Sequence, residues 1–75
     1  MQEELIKKAT QYIANTYTRF PIVVTKGEGC WLWDVNGRRY LDFLAGIAVC
    51  NLGHAHENVV EALTAQAKKL FHVSN

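Results

Sequence analysis

Trp31-Leu32-Trp33-Asp34-Val35-Asn36-Gly37-Arg38-Arg39-Tyr40-Leu41-Asp42 decides the fold. Two runs of strand formers flank Asn36-Gly37, the strongest short hairpin signal in the chain, because both central positions of a type I′ turn need positive φ. A two-residue loop dictates the pairing: Val35 faces Arg38, Asp34 faces Arg39, Trp33 faces Tyr40, Leu32 faces Leu41 and Trp31 faces Asp42. One face then carries the aromatic pair Trp33 and Tyr40, the other Leu32, Leu41 and the opposed charges Asp34 and Arg39. In this register Asp34 and Asp42 lie on opposite faces of the ribbon, which argues against a general acid and base pair.

Working outward, the hairpin strands cover about 30–35 and 38–43. The β-branched run from Ile22 makes an earlier strand over about 22–27, ended by a turn at Gly27-Glu28-Gly29. Those glycines lead into a hairpin and not into a helix, so they are turn residues and not a dinucleotide fingerprint. Leu5, Ala9, Tyr12, Ile13 and Thr16 recur at helical spacing and predict a helix over 2–17 that ends before Phe20-Pro21. After the hairpin comes an apolar loop, 44–56, and then a helix over 57–70 whose stripe is Val59, Leu63, Ala67 and Leu70, with Glu57 at its start and Lys68 and Lys69 near its end. The expected fold class is α+β: a helix, a three-stranded antiparallel sheet, an apolar loop and a helix.

Seventy-five residues, 49% of them hydrophobic, call for a core, yet no third layer is available to cover a small sheet between two helices. A core in so short a chain contributes about 3–5 kcal/mol at most. The segment therefore reads as a piece of a larger fold and not as a complete catalytic domain. Eight Lys and Arg against seven Asp and Glu supply no basic stripe for a phosphate backbone, which excludes nucleic acid as a partner. No apolar run reaches the roughly 18 residues of a membrane span, and the charged N-terminus lacks a signal-peptide core. Cys30 and Cys50 lack metal or disulfide spacing and read as small buried hydrophobes in a reducing, cytoplasmic compartment.

His54-Ala55-His56 is the one histidine cluster. Two histidines at i and i+2 can share a metal in an extended segment, but a catalytic zinc needs a third protein ligand that the sequence does not supply. The alternative reading has one histidine bordering the following helix and the other packed. Lys7, Lys8, Lys26, Lys68 and Lys69 all read as solvated, so none is set up for Schiff-base chemistry. No metal site and no complete catalytic set are expected within the chain. Loops are normally polar, so the apolar run through Tyr40-Leu41-Asp42-Phe43-Leu44-Ala45-Gly46-Ile47-Ala48-Val49-Cys50 asks for a cover. A self-standing α+β interaction module would cover the loop with its own helices, whereas a piece of an enzyme would need more protein.

From Gly27-Glu28-Gly29-Cys30-Trp31-Leu32-Trp33-Asp34 to Asp42-Phe43, through Ala45-Gly46-Ile47-Ala48-Val49-Cys50-Asn51-Leu52-Gly53-His54-Ala55-His56 and on to Val73-Ser74-Asn75, the sequence resembles the opening of the class III aminotransferases. These are pyridoxal-phosphate enzymes of the α/β fold type I, and the acetylornithine-type branch is the most similar. The resemblance implies an N-terminal segment of an enzyme of arginine biosynthesis that moves the terminal amino group of N-acetylornithine to 2-oxoglutarate. Ornithine, succinylornithine and aminobutyrate are the other ω-amino substrates of the class. It implies a homodimer, with loop 44–56 running along the interface toward the active site. Ile47 occupies the place where ornithine δ-aminotransferases carry a tyrosine that holds a free α-amino group, although aminobutyrate-type relatives also tolerate an aliphatic residue there. Ser74 and Asn75 begin a stretch leading toward substrate. The pyridoxal 5′-phosphate site and the catalytic lysine lie downstream in this family, so these 75 residues are expected to bind no cofactor and to be inactive alone. Glu57 departs from the family, which usually has a proline there; a glutamate is also favourable at a helix N-terminus.

Overall fold

The computed structural model describes all 75 residues. In chain order they form α1 (Gln2–Tyr12), β1 (Val24–Glu28), β2 (Trp31–Asp34), β3 (Arg39–Leu41), a single turn α2 (Ala45–Ala48) and α3 (Glu57–Ala67). The strands make one antiparallel sheet in the order β1-β2-β3.

α1 stops at Tyr12, short of the expected residue 17, because Ile13 is already extended at φ −102°, ψ 135°. The residues that follow, Ala14-Asn15-Thr16-Tyr17-Thr18, are mostly asparagine, β-branched or aromatic, all weak helix formers. The chain returns along the apolar side of α1. Leu5, Ile6, Ala9 and Ile13 line a groove whose other wall is Phe20 to Val23, and Gln2 Oε1 accepts the Val23 N–H at 3.1 Å. α3 also ends early: Ala67 is its last residue, and the Leu70 N–H folds back to the Gln66 carbonyl at 3.0 Å.

The hairpin register differs by one residue from the sequence expectation. Trp31 pairs with Leu41, Leu32 with Tyr40 and Trp33 with Arg39. The connection is a three-residue loop, Val35-Asn36-Gly37, in which the Gly37 N–H closes a turn onto the Asp34 carbonyl at 3.0 Å. Only Gly37 has positive φ, at 84°. The cause is the Asp34 side chain. Its Oδ1 accepts the amides of Asn36 and Arg38, each at 2.9 Å, and its Oδ2 accepts the Tyr40 hydroxyl at 2.9 Å. An Asx turn with an αL glycine competes successfully with the two-residue type I′ turn.

Because side chains alternate, this one-residue shift re-sorts both faces. Leu32, Asp34 and Tyr40 now share a face with Gly27, which pairs with Leu32. Trp31, Trp33, Arg39 and Lys26 share the other, where the Arg39 guanidinium lies 3.9 Å above the Trp31 ring and the Lys26 ammonium 4.7 Å above Trp33. Such exposed cation–aromatic contacts contribute about 0.5–1 kcal/mol each. An irregularity between Val24 and Lys26 puts Lys26 onto that face.

No apolar side chain is buried; the single buried residue is Asp34, 4% exposed. Neither long helix packs against the sheet or against the other helix. Val59, Val60 and Leu63 of α3 are exposed, as is Cys30, contrary to the expectation of buried thiols, while Cys50 is half-buried and both are free. The accessible surface is 7072 Å², where a compact 8.5 kDa monomer would expose about 4,700 Å². The radius of gyration is 15.3 Å against about 11 Å for a compact domain of this length. The sheet is ordered by its own hydrogen bonds, and its apolar surfaces are left open.

The turn assignment separates two substitutions. In the full-length protein, Gly37→Ala will lower stability by about 1–2 kcal/mol, the cost of a Cβ at left-handed φ, since nothing within 4 Å of that Cβ crowds it. Asn36→Ala will change stability by less than about 0.5 kcal/mol. Paired thermal melts check this; similar losses at both positions would restore the two-residue turn.

Candidate functional site

On the Gly27 face of the sheet, just past β3, Asp42 repeats the device of Asp34. Its Oδ1 accepts the amides of Leu44 at 2.9 Å and Ala45 at 3.0 Å, and its Oδ2 accepts His54 Nε2 at 2.5 Å. The two side chains are only 11% and 18% exposed. The backbone of His54 is held as well: it exchanges both hydrogen bonds with Gly29, His54 N to Gly29 O at 2.8 Å and Gly29 N to His54 O at 3.0 Å. Its ring lies against Gly27, where an added Cβ would meet His54 Cβ at 2.7 Å and Cγ at 2.8 Å. Gly27 is therefore a close-approach glycine. Asp34 and Asp42 lie on one face, not two as the sequence register implied, and each spends its oxygens on backbone amides and a neighbouring side chain.

The segment between Asp42 and His54 is not the plain loop expected over 44–56. Ala45, Gly46, Ile47 and Ala48 have φ of 52°, 63°, 62° and 60°, one turn of left-handed helix. Hydrogen bonds from Ala48 N to Leu44 O at 3.0 Å, Val49 N to Ala45 O at 2.7 Å and Cys50 N to Ala45 O at 2.8 Å close it. L-residues resist this hand because Cβ crowds the following carbonyl, at about 1–2 kcal/mol per residue, and a β-branched residue there is a true outlier. Three non-glycine residues bring the strain to several kcal/mol, offset by those bonds and by the two amides that Asp42 caps. The turn holds Ile47 outward, 89% exposed.

Burial raises the Asp34 carboxyl, but the Arg38 amide, the Tyr40 hydroxyl, the Asn36 amide and the Arg38 charge outweigh it and leave the group below the usual carboxylate range. Tyr40 moves up, chiefly because its hydroxyl donates to Asp34 and then through burial. Asp42 is held low by His54 first, then by the Leu44 and Ala45 amides, with burial opposing.

His56 occupies the N-cap position of α3 without a side-chain cap bond, and its Nδ1 is buried without a partner. Ala55, at φ 54°, turns the chain between the two histidines. Ser74 and Asn75 lie in the exposed tail beyond α3, on a different segment from Ile47. All five lysines are exposed, Lys26 over an indole, and both well-bonded aspartates are committed to amides.

Residues 12–75 match the pattern that defines the aminotransferase class-III family. The chain belongs to that family. It is 58% identical over 64 residues to acetylornithine aminotransferase of Synechocystis sp., covering 85% of this chain and 15% of that protein. It is 53% identical over 68 residues to the acetylornithine aminotransferase of Oceanobacillus iheyensis, covering 91% and 17%. The structure superposes on acetylornithine aminotransferase from Elizabethkingia anophelis with a TM-score of 0.91 at 40% identity, covering 99% of this chain and 18% of that one. Ornithine aminotransferase from Plasmodium yoelii superposes with a TM-score of 0.91 at 36% identity, covering 100% and 20%. The chain thus spans about a sixth of the length of the curated relatives it matches.

Two outcomes test the geometry. Gly27→Ala will drive His54 off its seat and destabilise the protein by about 1–3 kcal/mol, the cost of overpacking, seen as a lower melting temperature. Because the Asp34 and Asp42 carboxyls are lowered on folding, the stability they add is complete above the ordinary carboxylate range and is lost as pH falls through their lowered values. Asp42→Asn will flatten that acid limb in a melting-temperature profile against pH; an unchanged limb would show that Asp42 is not linked to folding.

Proposed function

We propose that these residues are the N-terminal part of a pyridoxal-phosphate-dependent aminotransferase that moves the terminal amino group of N-acetylornithine to 2-oxoglutarate, and that loop 44–56 forms part of its substrate pocket at a homodimer interface. The observation that carries this reading is Ile47, an aliphatic side chain held outward on a strained left-handed turn. Strained backbone concentrates where geometry serves a site. Strong similarity to acetylornithine aminotransferases supports the acyl-donor branch.

Ile47 neither donates nor accepts a hydrogen bond. Against it an acylated, uncharged α-nitrogen loses little on leaving water, whereas the α-ammonium of free ornithine would be desolvated without a partner. The role of Ile47 is then to exclude water and reject charge at the end of the substrate remote from the transferred amine. Ser74 and Asn75 are assigned to the substrate-side tail. The cofactor and the groups that hold it belong to protein beyond these 75 residues, and no step of the chemistry is assigned to the side chains present. Ornithine, succinylornithine and aminobutyrate remain the competing donors for the kinetic test.

The rival reading, a self-standing interaction module, is disfavoured by the missing apolar core. No helix is long and apolar enough to cross a membrane.

Steady-state kinetics on the full-length enzyme will give kcat/KM for acetylornithine about a hundredfold above that for ornithine, the scale of an unpaired buried charge. Ile47→Tyr will narrow the ratio about tenfold by improving ornithine. A wild-type preference for ornithine would overturn the substrate assignment. The isolated 75 residues will lose all cofactor absorbance on dialysis; retained absorbance would contradict the placement of the cofactor site.

A further inference from the structure

A strained turn needs something to hold it, and the residues that do so sit at its two ends. Asp42 precedes the turn and caps the Leu44 and Ala45 amides from which it starts. His54 follows it and reaches back across twelve residues to the same carboxylate. His54 cannot follow a drifting loop, because its backbone is bridged to Gly29 and its ring is seated against Gly27. The carboxylate is thus tied on one oxygen to the turn and on the other, through His54, to the sheet.

We propose that Asp42 and His54 are positioning residues for the transamination, a clasp that anchors the left-handed turn to the sheet and so fixes where Ile47 meets the amino donor. This rests on the reading that places Ile47 against substrate. Without the clasp, Ala45, Ile47 and Ala48 relax toward right-handed φ, and the Ile47 side chain leaves its position although the sheet stays intact. Substrate then meets a pocket wall that must be reordered on binding. That cost enters KM, because Ile47 touches the donor far from the transferred amine and contributes alike before and during the chemical step.

The test compares wild-type full-length enzyme with His54→Leu, which keeps bulk and removes the donor, and His54→Gln, whose side-chain amide can donate to Asp42. Amide hydrogen exchange and steady-state kinetics are read together. In His54→Leu, exchange at residues 44–50 accelerates about ten- to a hundredfold, the scale of a lost charge-assisted hydrogen bond, while the β1–β3 amides stay protected. KM for acetylornithine rises about tenfold with kcat within about threefold, and His54→Gln returns both to within about threefold of wild type. Wild-type exchange at 44–50 in His54→Leu overturns the clasp. Equal acceleration throughout the sheet overturns it in favour of general unfolding, and a loosened loop with unchanged KM overturns the coupling to substrate. A wild-type enzyme without transaminase activity overturns the functional reading and that coupling, while the exchange rates still decide whether the pair holds the turn; the two failures are distinguishable.

Discussion

The Asp34 carboxylate is the constraint from which the other contacts follow. By accepting two amides of the turn and the Tyr40 hydroxyl, it selects a three-residue connection and with it the hairpin register. Register fixes parity, and parity decides which face Asp42 occupies. Asp42 consequently emerges on the face where Gly27 leaves room for a ring, and only there can it meet His54. A buried carboxylate is costly unless its oxygens are satisfied; here satisfaction and register are the same set of bonds.

What stabilises the segment is therefore polar and local, and what would ordinarily stabilise a domain is missing. The sheet has hydrogen bonds, cation–aromatic contacts and two aspartate hooks, but no packed apolar layer. Apolar burial is the dominant favourable term in folding, so the exposed faces of α1 and α3 and the outward Phe43, Leu44 and Phe71 mark where further protein would add most. Strain in the loop fits the same division: the hooks hold a conformation that packing has not yet covered.

The element order and the antiparallel sheet were legible in residue patterning, because alternation and helical spacing are written in side-chain type. The register was not, since Asn36-Gly37 is compatible with two turns and the choice depends on a side chain outside the dipeptide. Asp34 ahead of Asn-Gly was the available signal, an Asx-turn former at the first position. The end of α1 was not legible because the apolar stripe continues past Tyr12 into weak helix formers, where the backbone has already turned extended. The resemblance pointed to Ile47, but nothing in Ala-Gly-Ile-Ala announces a left-handed turn; Gly46 alone is suited to it, and tertiary bonds impose it on the other three. The Asp42–His54 contact was equally hidden, because it depends on a register that the turn signal misassigned.

The contacts that shape the loop all lie within the first 54 residues. Tyr40 lies six residues from Asp34 and His54 twelve from Asp42, and the Gly29–His54 bridge joins β1's edge to a point still ahead of α3. The two side-chain contacts close quickly, and because closure entropy grows slowly with loop length the longer Gly29–His54 bridge adds little to the cost. During synthesis the loop can thus be assembled as soon as residue 54 has emerged, before any downstream chain is available to template it. The left-handed turn that carries Ile47 would then be prefabricated, its shape set by the chain's own contacts.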